Sequence, residues 1–253
     1  MIDYREELIR NSDNCHARYL PHVSVDTVIF GFHDDELRVL LLKMHFNKQW
    51  FLPGGYVLKQ EDLSDAAKRV LQVRTGVQDV YLKEFGVFGK HDRSQKWFDD
   101  FDDTLWQKQR FISVGYYALV DYSKVVPSKD DWSEACEWKM LSELDELKLT
   151  MDHPAILQAG LEALRNDMLA RPIGYNLLPE KFTIPQLQRL YETILDRKLN
   201  RGNFYRKITK YDLLEKVGEA KMDNAIKPQI VYQLNQKKYQ AAMENGFRDK
   251  NGI

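Results

Sequence analysis

The chain has 253 residues and a mass of 29.9 kDa, with 43% hydrophobic, 30% charged and 12% aromatic residues. This apolar content is enough for a folded core and excludes wholesale disorder. Apolar runs long enough for a membrane helix are missing, and the polar N-terminus differs from a signal peptide. Two cysteines, Cys15 and Cys136, are too few for a disulfide framework or a zinc site. We therefore expect a soluble cytoplasmic protein of one or two domains, with no membrane contact.

The net charge of −1 hides an uneven distribution. From Arg171 to the C-terminus there are 16 basic and nine acidic residues, whereas residues 1–170 hold 21 basic and 29 acidic residues. An acidic body followed by a basic segment indicates two separate roles. A small basic domain is typical of nucleic-acid binding, although a solvated basic surface gives the same composition.

The acidic body reads as alternating strands and helices. Apolar runs predict strands at 23–32 and 37–44, joined by a short turn into a hairpin. Apolar residues at helical spacing predict a helix at 63–75, which Gly76 ends. The remaining predicted elements of the body are strands at 81–89, 111–120 and 134–140 and a helix at 154–169. The long segment 91–109 between two of these strands mixes tryptophans and phenylalanines with aspartates, and is either a functional loop or an inert surface loop.

The basic segment reads as a small helical domain. Proline and glycine in 171–179 predict a linker, followed by helices at 184–195 and 201–211 with a short turn between them. The stretch 218–228 precedes a short strand at 229–234 and would form a β-wing. These patterns divide the chain into an N-terminal segment 1–20, a first domain 21–170, a linker 171–181 and a second domain 182–253.

One spacing in the body points to a known motif. Gly55 is followed after five residues by Glu61, after seven more by Arg69, and the segment closes at Gly76 and Val77. This resembles the Nudix box, Gly-x5-Glu-x7-Arg-Glu-U-x-Glu-Glu-x-Gly-U, where U is a bulky aliphatic residue. In that family the glutamates of the box helix bind divalent cations, which neutralise a diphosphate and activate water.

The chemical part of the box is missing. Val70, Val73 and Arg74 stand where the pattern has glutamates. Glu61 alone does not supply the several hard oxygens that Mg²⁺ requires, and Arg74 adds a positive charge. We therefore expect no metal, no other cofactor and no diphosphate hydrolysis, and Glu61 is expected to pair with Arg69 as a structural brace.

The second helix of the basic segment has one apolar and one basic face. Phe204, Ile208 and Tyr211 share a face and predict its packing side. The candidate DNA-binding residues are Arg201, Asn203, Tyr205, Arg206, Lys207 and Lys210 on this helix and Lys221 in the predicted wing. Arginine can bind guanine, asparagine can bind adenine, and lysine can neutralise phosphate. The alternative is a solvated helix of a packing domain, but the helix-turn-helix-wing order and the absence of acidic residues from 197 to 211 favour DNA.

Together, the two halves resemble the Nudix-related transcriptional regulators over about residues 20–240. The resemblance is carried by segments 171–192 and 203–207, and by 86–89, 92–93 and 110–119 in the body. It implies an α+β fold, in which a Nudix-like α/β/α sandwich with a mixed sheet precedes a C-terminal winged helix-turn-helix domain. It also implies a homodimer that binds double-stranded operator DNA and a small-molecule effector.

The resemblance leaves the effector open between two branches of the family. One branch senses ADP-ribose and controls NAD metabolism, and another resembles an arabinose-responsive regulator of pentose use. The amino-acid sequences of residues 171–179 and 66–71 are more similar to the sugar-responsive branch, and they favour L-arabinose or another pentose as the effector. The alternatives are an ADP-ribose sensor and a hydrolase of ADP-ribose or nucleoside diphosphate sugars. The insert at 90–109 is longer than the corresponding loop of the family.

A sugar site is expected to combine an aromatic face with a few convergent polar groups. The candidate effector-binding residues are Asp26, Lys43, Trp50, Arg93, Arg110 and Tyr116, with Trp97 and His153 as further candidates. Each also has a structural alternative, such as a turn, the core or a helix cap. Arg93 and Arg110 are favoured because each adjoins a segment that carries the resemblance, and both would also suit the phosphates of ADP-ribose.

Overall fold

The computed structural model describes residues 4–45, 47–220 and 228–247. The chain divides into two compact units. The first unit comprises residues 1–31, 38–120 and 124–164, and the second comprises residues 32–37, 121–123 and 165–253. None of the helices in the described ranges is long and apolar enough to cross a membrane.

A seven-stranded mixed sheet forms the centre of the first unit. Its strands are β1 (Tyr19–His33), β2 (Glu36–Met44), β3 (Trp50–Phe51), β4 (Gly54–Leu58), β5 (Tyr81–Phe88), β6 (Ile112–Val120) and β7 (Ser133–Met140). Its helices are α1 (Tyr4–Arg18), α2 (Leu63–Thr75) and α3 (His153–Ala170), the last of which also supplies residues to the second unit. The main order is β3-β2-β1-β6-β5, with β4 paired to β1 and β7 to β2. Only β1 and β6 of the described pairs run parallel, so the sheet is mixed as predicted.

The predicted strands and helices of the body are confirmed to within a few residues. The exceptions are α1, which the polar N-terminal segment did not predict, the short strands β3 and β4, for which no strand was predicted, and the earlier start of β1. These differences have tertiary causes. Strand β4 pairs with β1 from Tyr19 onwards, and β3 pairs with β2. Helix α1 packs against the 90–109 insert rather than standing alone. The Oγ of Ser12 on α1 accepts a hydrogen bond of 2.9 Å from the backbone N–H of Trp106, whose side chain is almost fully buried.

Helix α2 contains the box. It ends at Gly76, whose φ of 73° lies in the left-handed region that favours glycine, and whose N–H donates to the carbonyl of Gln72. One face of the helix packs on the sheet through Ala66, Ala67 and Val70, in a core that includes Val25 of β1. Val70, at a glutamate position of the box, therefore serves packing.

The second unit is a winged helix. It contains β8 (Lys181–Thr183), α4 (Ile184–Leu195), α5 (Arg201–Thr209), β9 (Leu214–Ala220), β10 (Gln229–Leu234) and α6 (Gln236–Asn245), with sheet order β8-β10-β9. The 171–181 segment predicted as a linker lies in this unit, and its Ile173, Tyr175 and Leu177 are buried. Residues 221–227, where the tip of the predicted wing falls, lie outside the described residues.

Local capping fixes the helix-turn-helix. The Thr183 hydroxyl and the Gln186 side chain form a capping box at the start of α4. Asp196 ends α4 in the left-handed conformation, and the side chain of Asn200 accepts from the N–H of Asn203 at the start of α5. Phe204 and Ile208 are buried as their spacing predicted, which turns the opposite face of α5 outwards. Tyr211, predicted to share their face, is half-buried and lies beyond the end of α5 at Thr209.

Candidate functional site

The first unit contains a cavity of about 270 Å³, here called the effector cavity. It is lined by residues of α1, β1, β2 and α2, of the segment from β3 to β4, of the insert, of the loop before β7 and of the start of α3. The polar side chains that line it include those of Asp26, Arg74, Arg93, Gln107, Asp130 and His153. Three residues predicted from the sequence, Asp26, Arg93 and the further candidate His153, are thus brought together here.

A buried ion-pair network surrounds Arg93. Its Nε and Nη2 donate to the two carboxylate oxygens of Asp152, each at 2.8 Å, and Nη2 also donates to Oδ2 of Asp26 at 3.0 Å. The Ser113 hydroxyl on β6 donates to the same Oδ2 of Asp26 at 2.6 Å. The Arg93 side chain is only 4% exposed, so its charge is balanced inside the protein by two carboxylates.

His153 lies beside this network in a defined tautomer. Its Nδ1 accepts a hydrogen bond of 3.0 Å from the backbone N–H of Leu52, so the neutral ring carries its proton on Nε2. That Nε2 is 3.8 Å from Oδ1 of Asp26. Burial lowers the pKa of His153 below its ordinary value despite the nearby carboxylates. The imidazole is therefore neutral near pH 7.

Asp26 remains ionised although it is buried. Burial alone would raise its pKa, but His153, Arg93 and the Ser113 hydroxyl outweigh it and lower the pKa below the ordinary value. Its other oxygen leaves no room for a side chain on β4, because a Cβ at Gly54 would lie 2.5 Å from Oδ1. The glycine at this position is required by the close approach of the carboxylate.

Acidification is expected to destabilise the first unit through His153. Because the folded pKa is lowered, the unfolded chain takes up the proton first as the pH falls through about 6.5. The free energy of unfolding should then fall by at most about 1.4 kcal/mol per pH unit for this group. Urea unfolding at a series of pH values measures the slope, and His153→Gln should flatten it. His91→Gln, at an exposed site, is the control, and an unchanged slope in His153→Gln would contradict the prediction.

The residues of the box do not form a metal site. Val70 lies in the core, Val73 is exposed, and Arg74 donates through Nη2 to Oδ2 of Asp130 on the loop before β7. Within the described part of the chain, no cluster of three or more histidine, cysteine or acidic side chains could hold a metal ion. The donor set at the box therefore does not fit a Mg²⁺ ion.

Glu61 forms the predicted brace with Arg69. Its two carboxylate oxygens accept from Nε and Nη2 of Arg69 at 2.7 and 2.8 Å, and Oε2 also accepts from the N–H of Leu58. Arg69 donates in addition to the carbonyl of Tyr56 at 2.9 Å. The hydrogen bond from Arg69 is the largest contribution that lowers the pKa of Glu61. The pair thus joins α2 to β4 and to the loop that follows β4.

Glu61→Gln is expected to lower the free energy of unfolding by about 1–3 kcal/mol, because it removes charge-assisted hydrogen bonds. Urea denaturation measures the change. The control is Asp65→Asn, which breaks an exposed pair with Lys68 on the same helix and should change stability by less than about 0.5 kcal/mol. Equal effects of the two substitutions would show that the brace contributes no more than a surface pair.

The other five predicted residues, which include the further candidate Trp97, are not among those that line the cavity. The Nζ of Lys43 is 3.6 Å from Glu134, and the Trp50 ring lies 4.4 Å from the Nζ of Lys139. Arg110 is exposed, and its Nη2 donates to the carbonyl of Gly89 at 3.3 Å. Tyr116 is buried in the core against α2. Their part in effector binding stays a prediction.

Sequence reasoning did not single out several residues of the cavity as effector ligands. They are Gln107, Asp130 and, as a wall residue, Arg74, all of which line the cavity. Ser113 and Asp152 were also missed, and they lie behind the lining, bonded to residues that form it. A local signal was present only for Asp152, which precedes the candidate His153. The others come from separate elements that the fold brings together.

Helix α5 carries the predicted nucleic-acid contacts of the second unit. Arg201, Asn203, Tyr205 and Arg206 are exposed, and Nη2 of Arg206 donates to Oδ1 of Asn203. This bond holds the two side chains together on the outer face of the helix. A guanidinium and an amide presented in this way are the groups that read base edges in a major groove.

The three remaining DNA candidates have different surroundings. The Nζ of Lys207 donates to the carbonyl of Leu169 at 2.9 Å, and burial lowers its pKa, so it caps the C-terminus of α3. Lys210 is exposed, with its Nζ 5.6 Å from the Tyr211 ring centre. Lys221 lies outside the described residues. The DNA contacts of all three stay predictions.

Both halves of the chain match known domain families. Residues 20–159 match the NUDIX domain, and residues 174–234 match the NrtR DNA-binding winged helix domain. The chain is 30% identical over 207 residues to the ADPR responsive transcriptional repressor NtrR of Acinetobacter baylyi, covering 80% of this chain and 78% of that protein. The chain therefore belongs to the family of NrtR-like regulators, in which a Nudix domain precedes a C-terminal winged helix domain.

Solved structures agree with this assignment. Shewanella oneidensis NrtR complexed with a 27mer DNA superposes with a TM-score of 0.69 at 26% identity, over 86% of this chain and 95% of that chain. A MutT/nudix family protein from Enterococcus faecalis gives a TM-score of 0.63 at 20% identity, over 92% and 99% of the two chains, and shows the same fold. None of these three relatives is named for a pentose, so the predicted pentose branch stays a prediction.

Proposed function

We propose that this protein is a transcription regulator that binds operator DNA through α5 and whose operator affinity is set by a small molecule in the effector cavity. The observation that carries the proposal is the exposed Asn203–Arg206 pair on the second helix of a helix-turn-helix. An Acinetobacter relative described as a transcriptional repressor and a DNA complex of a Shewanella relative support the same assignment. Two recognition helices spaced by a homodimer would read a two-fold symmetric operator.

ADP-ribose is the first candidate effector. It is supported by the Acinetobacter relative named as an ADPR responsive repressor, which matches 80% of this chain. Arginines are common ligands of phosphate, and two of them, Arg74 and Arg93, line the cavity.

A pentose such as L-arabinose is the second candidate, and the charge balance of the cavity favours it. Arg93 is bonded to Asp26 and Asp152, and Arg74 is bonded to Asp130. Both guanidinium charges are therefore already compensated, and a diphosphate would add uncompensated negative charge to a buried site. A neutral polyhydroxylated ligand would add none.

The proposed regulator does not hydrolyse its ligand. Val70, Val73 and Arg74 replace the glutamates of the box pattern, and their contacts leave no set of carboxylates for Mg²⁺. Incubation with ADP-ribose or a nucleoside diphosphate sugar and Mg²⁺ should release no product. Mg²⁺-dependent turnover that is lost in Glu61→Gln would instead support the hydrolase alternative.

The first test is fluorescence anisotropy with duplex DNA from the region upstream of the protein's own gene, over a range of salt concentrations. Binding should weaken steeply with salt, with a log-log slope of about −0.9 for each phosphate neutralised. ADP-ribose, L-arabinose and D-xylose are then added without metal. A change of operator affinity with one of them identifies the effector, whereas salt-independent or absent DNA binding would contradict the regulator. Analytical ultracentrifugation of the same sample tests the homodimer.

A further inference from the structure

Two residues in the wall of the effector cavity keep a polar atom without a protein partner. They are Arg74, through Nη1, and Gln107, through Oε1. Both atoms are shielded from solvent, and neither makes a hydrogen bond to any described residue. A buried donor or acceptor that stays unpaired is destabilising, so native proteins rarely keep one without a reason. Two residues that line one cavity and each keep such an atom indicate contacts that a ligand completes.

Arg74 is held in place by its other nitrogen. Its Nη2 donates to Oδ2 of Asp130, and Oδ1 of Asp130 accepts from the Ser133 hydroxyl at 2.6 Å. The guanidinium is thus fixed in the wall while Nη1 remains unpaired within the described structure. The Nudix box pattern has a glutamate at the position that Arg74 occupies. A hydrogen-bond donor with a positive charge has replaced an acceptor there.

Gln107 belongs to the insert between β5 and β6. The neighbouring residues are anchored, because the N–H of Trp106 donates to Ser12 and the Nζ of Lys108 donates to the carbonyl of Phe101 at 2.7 Å. The backbone on both sides of Gln107 is therefore anchored, and the amide oxygen of Gln107 is buried. The insert thereby supplies part of the wall of the cavity.

The two unpaired atoms differ in chemistry, and this limits the ligand. Nη1 of Arg74 can only donate, whereas Oε1 of Gln107 can only accept. A phosphate without a proton offers acceptors alone and cannot satisfy Gln107, but a hydroxyl group both donates and accepts. We propose that Arg74 and Gln107 bind hydroxyl groups of a sugar ring. Through Gln107, the insert would then contribute to the choice of ligand. This rests on the proposed function, and the ring is either a free pentose or the ribose of ADP-ribose.

Titration calorimetry with L-arabinose, D-xylose, D-ribose and ADP-ribose, each without metal, tests the assignment. The variants are Gln107→Leu, which removes the amide, and Arg74→Lys, which keeps the charge and one donor for Asp130. Each should bind the recognised probe about tenfold more weakly, the effect of losing one good hydrogen bond. The melting temperature of ligand-free Gln107→Leu should not fall, because no protein contact of Oε1 is lost.

Gln49→Leu is the matched control. Gln49 also has a buried amide oxygen with no partner among the described residues, but it is not among the residues that line the cavity. Its replacement should leave the affinity unchanged. Deoxy sugars provide a second readout, since removal of the recognised hydroxyl should weaken binding to the native protein and not to Gln107→Leu.

The outcomes separate this assignment from the proposed function. If the native protein binds a probe and Gln107→Leu binds it equally well, the role of Gln107 is overturned while the effector proposal stands. If the native protein binds none of the four probes, both are overturned. Binding of a free pentose identifies the sugar itself as the source of the hydroxyls, and binding of ADP-ribose alone identifies its ribose.

Discussion

Replacing Arg93 with methionine is expected to lower the free energy of unfolding by about 3–5 kcal/mol and to abolish effector binding. The substitution leaves Asp26 and Asp152 buried without the guanidinium that bonds both of them. Removing one partner of a buried ion pair has an effect of this size, because the remaining charge is left uncompensated. Urea denaturation measures stability, and calorimetry with the bound probe measures affinity.

The matched control is Arg189→Met. Arg189 also forms an arginine–aspartate pair, with Asp35 at 2.7 Å, but the two side chains are 56% and 52% exposed. This loss should change stability by less than about 1 kcal/mol. The loss of stability caused by Arg93→Met should also become smaller in acid, because the two carboxylates left without the guanidinium then take up protons. Equal stability of the two variants would mean that the network around Arg93 is not a stabilising element.

Replacing Arg206 with alanine is expected to weaken operator binding by about 1–3 kcal/mol, roughly five- to 150-fold. Arg206 is exposed on α5 and fixed by its bond to Asn203, so its guanidinium is presented outwards. If it contacts a base, discrimination between operator sequences should decrease at one position. If it contacts a phosphate, the salt slope should fall by about one unit instead.

Lys238→Ala provides the comparison for Arg206→Ala. Lys238 is an exposed cation of the same unit, but it lies on α6 and bonds to Asp212. Anisotropy titrations at matched salt should show native affinity for Lys238→Ala. An unchanged titration of Arg206→Ala would remove this residue from the interface, and equal losses in both variants would indicate only a nonspecific effect of charge.

Local signals predicted those parts of the molecule that are decided within a few residues. The helix at 63–75 and its end at Gly76 follow from apolar spacing and from the left-handed conformation of the glycine. The caps at Thr183 and Asn200 likewise fix the starts of the two helices of the helix-turn-helix. The Glu61–Arg69 brace was predictable because box spacing sets both positions.

The effector cavity could be predicted only in part. Arg93 bonds Asp26 across 67 residues and Asp152 across 59, so no local pattern relates them. Parallel pairing places Ser24 of β1 opposite Ser113 of β6, which brings the Ser113 hydroxyl to Asp26. Lys43 and Trp50 are of the residue types expected at a sugar site. However, Lys43 forms an ion pair with Glu134, and the Trp50 ring is in contact with the ammonium group of Lys139. Residue type was therefore enough to select candidate positions for a ligand site. Strand register decided which of the candidates line the cavity.

The sequence by itself determined the two-part organisation, the α+β fold class, the altered box and the basic face of α5. Each of these depends on composition, or on spacing within one helix or one motif, where backbone geometry is regular. Only the tertiary structure decided that α1 packs on the insert, that Lys207 caps α3, and that Arg74 and Gln107 meet in one cavity. These contacts depend on side chains far apart in the chain, whose positions are set by sheet register and by packing of the whole unit.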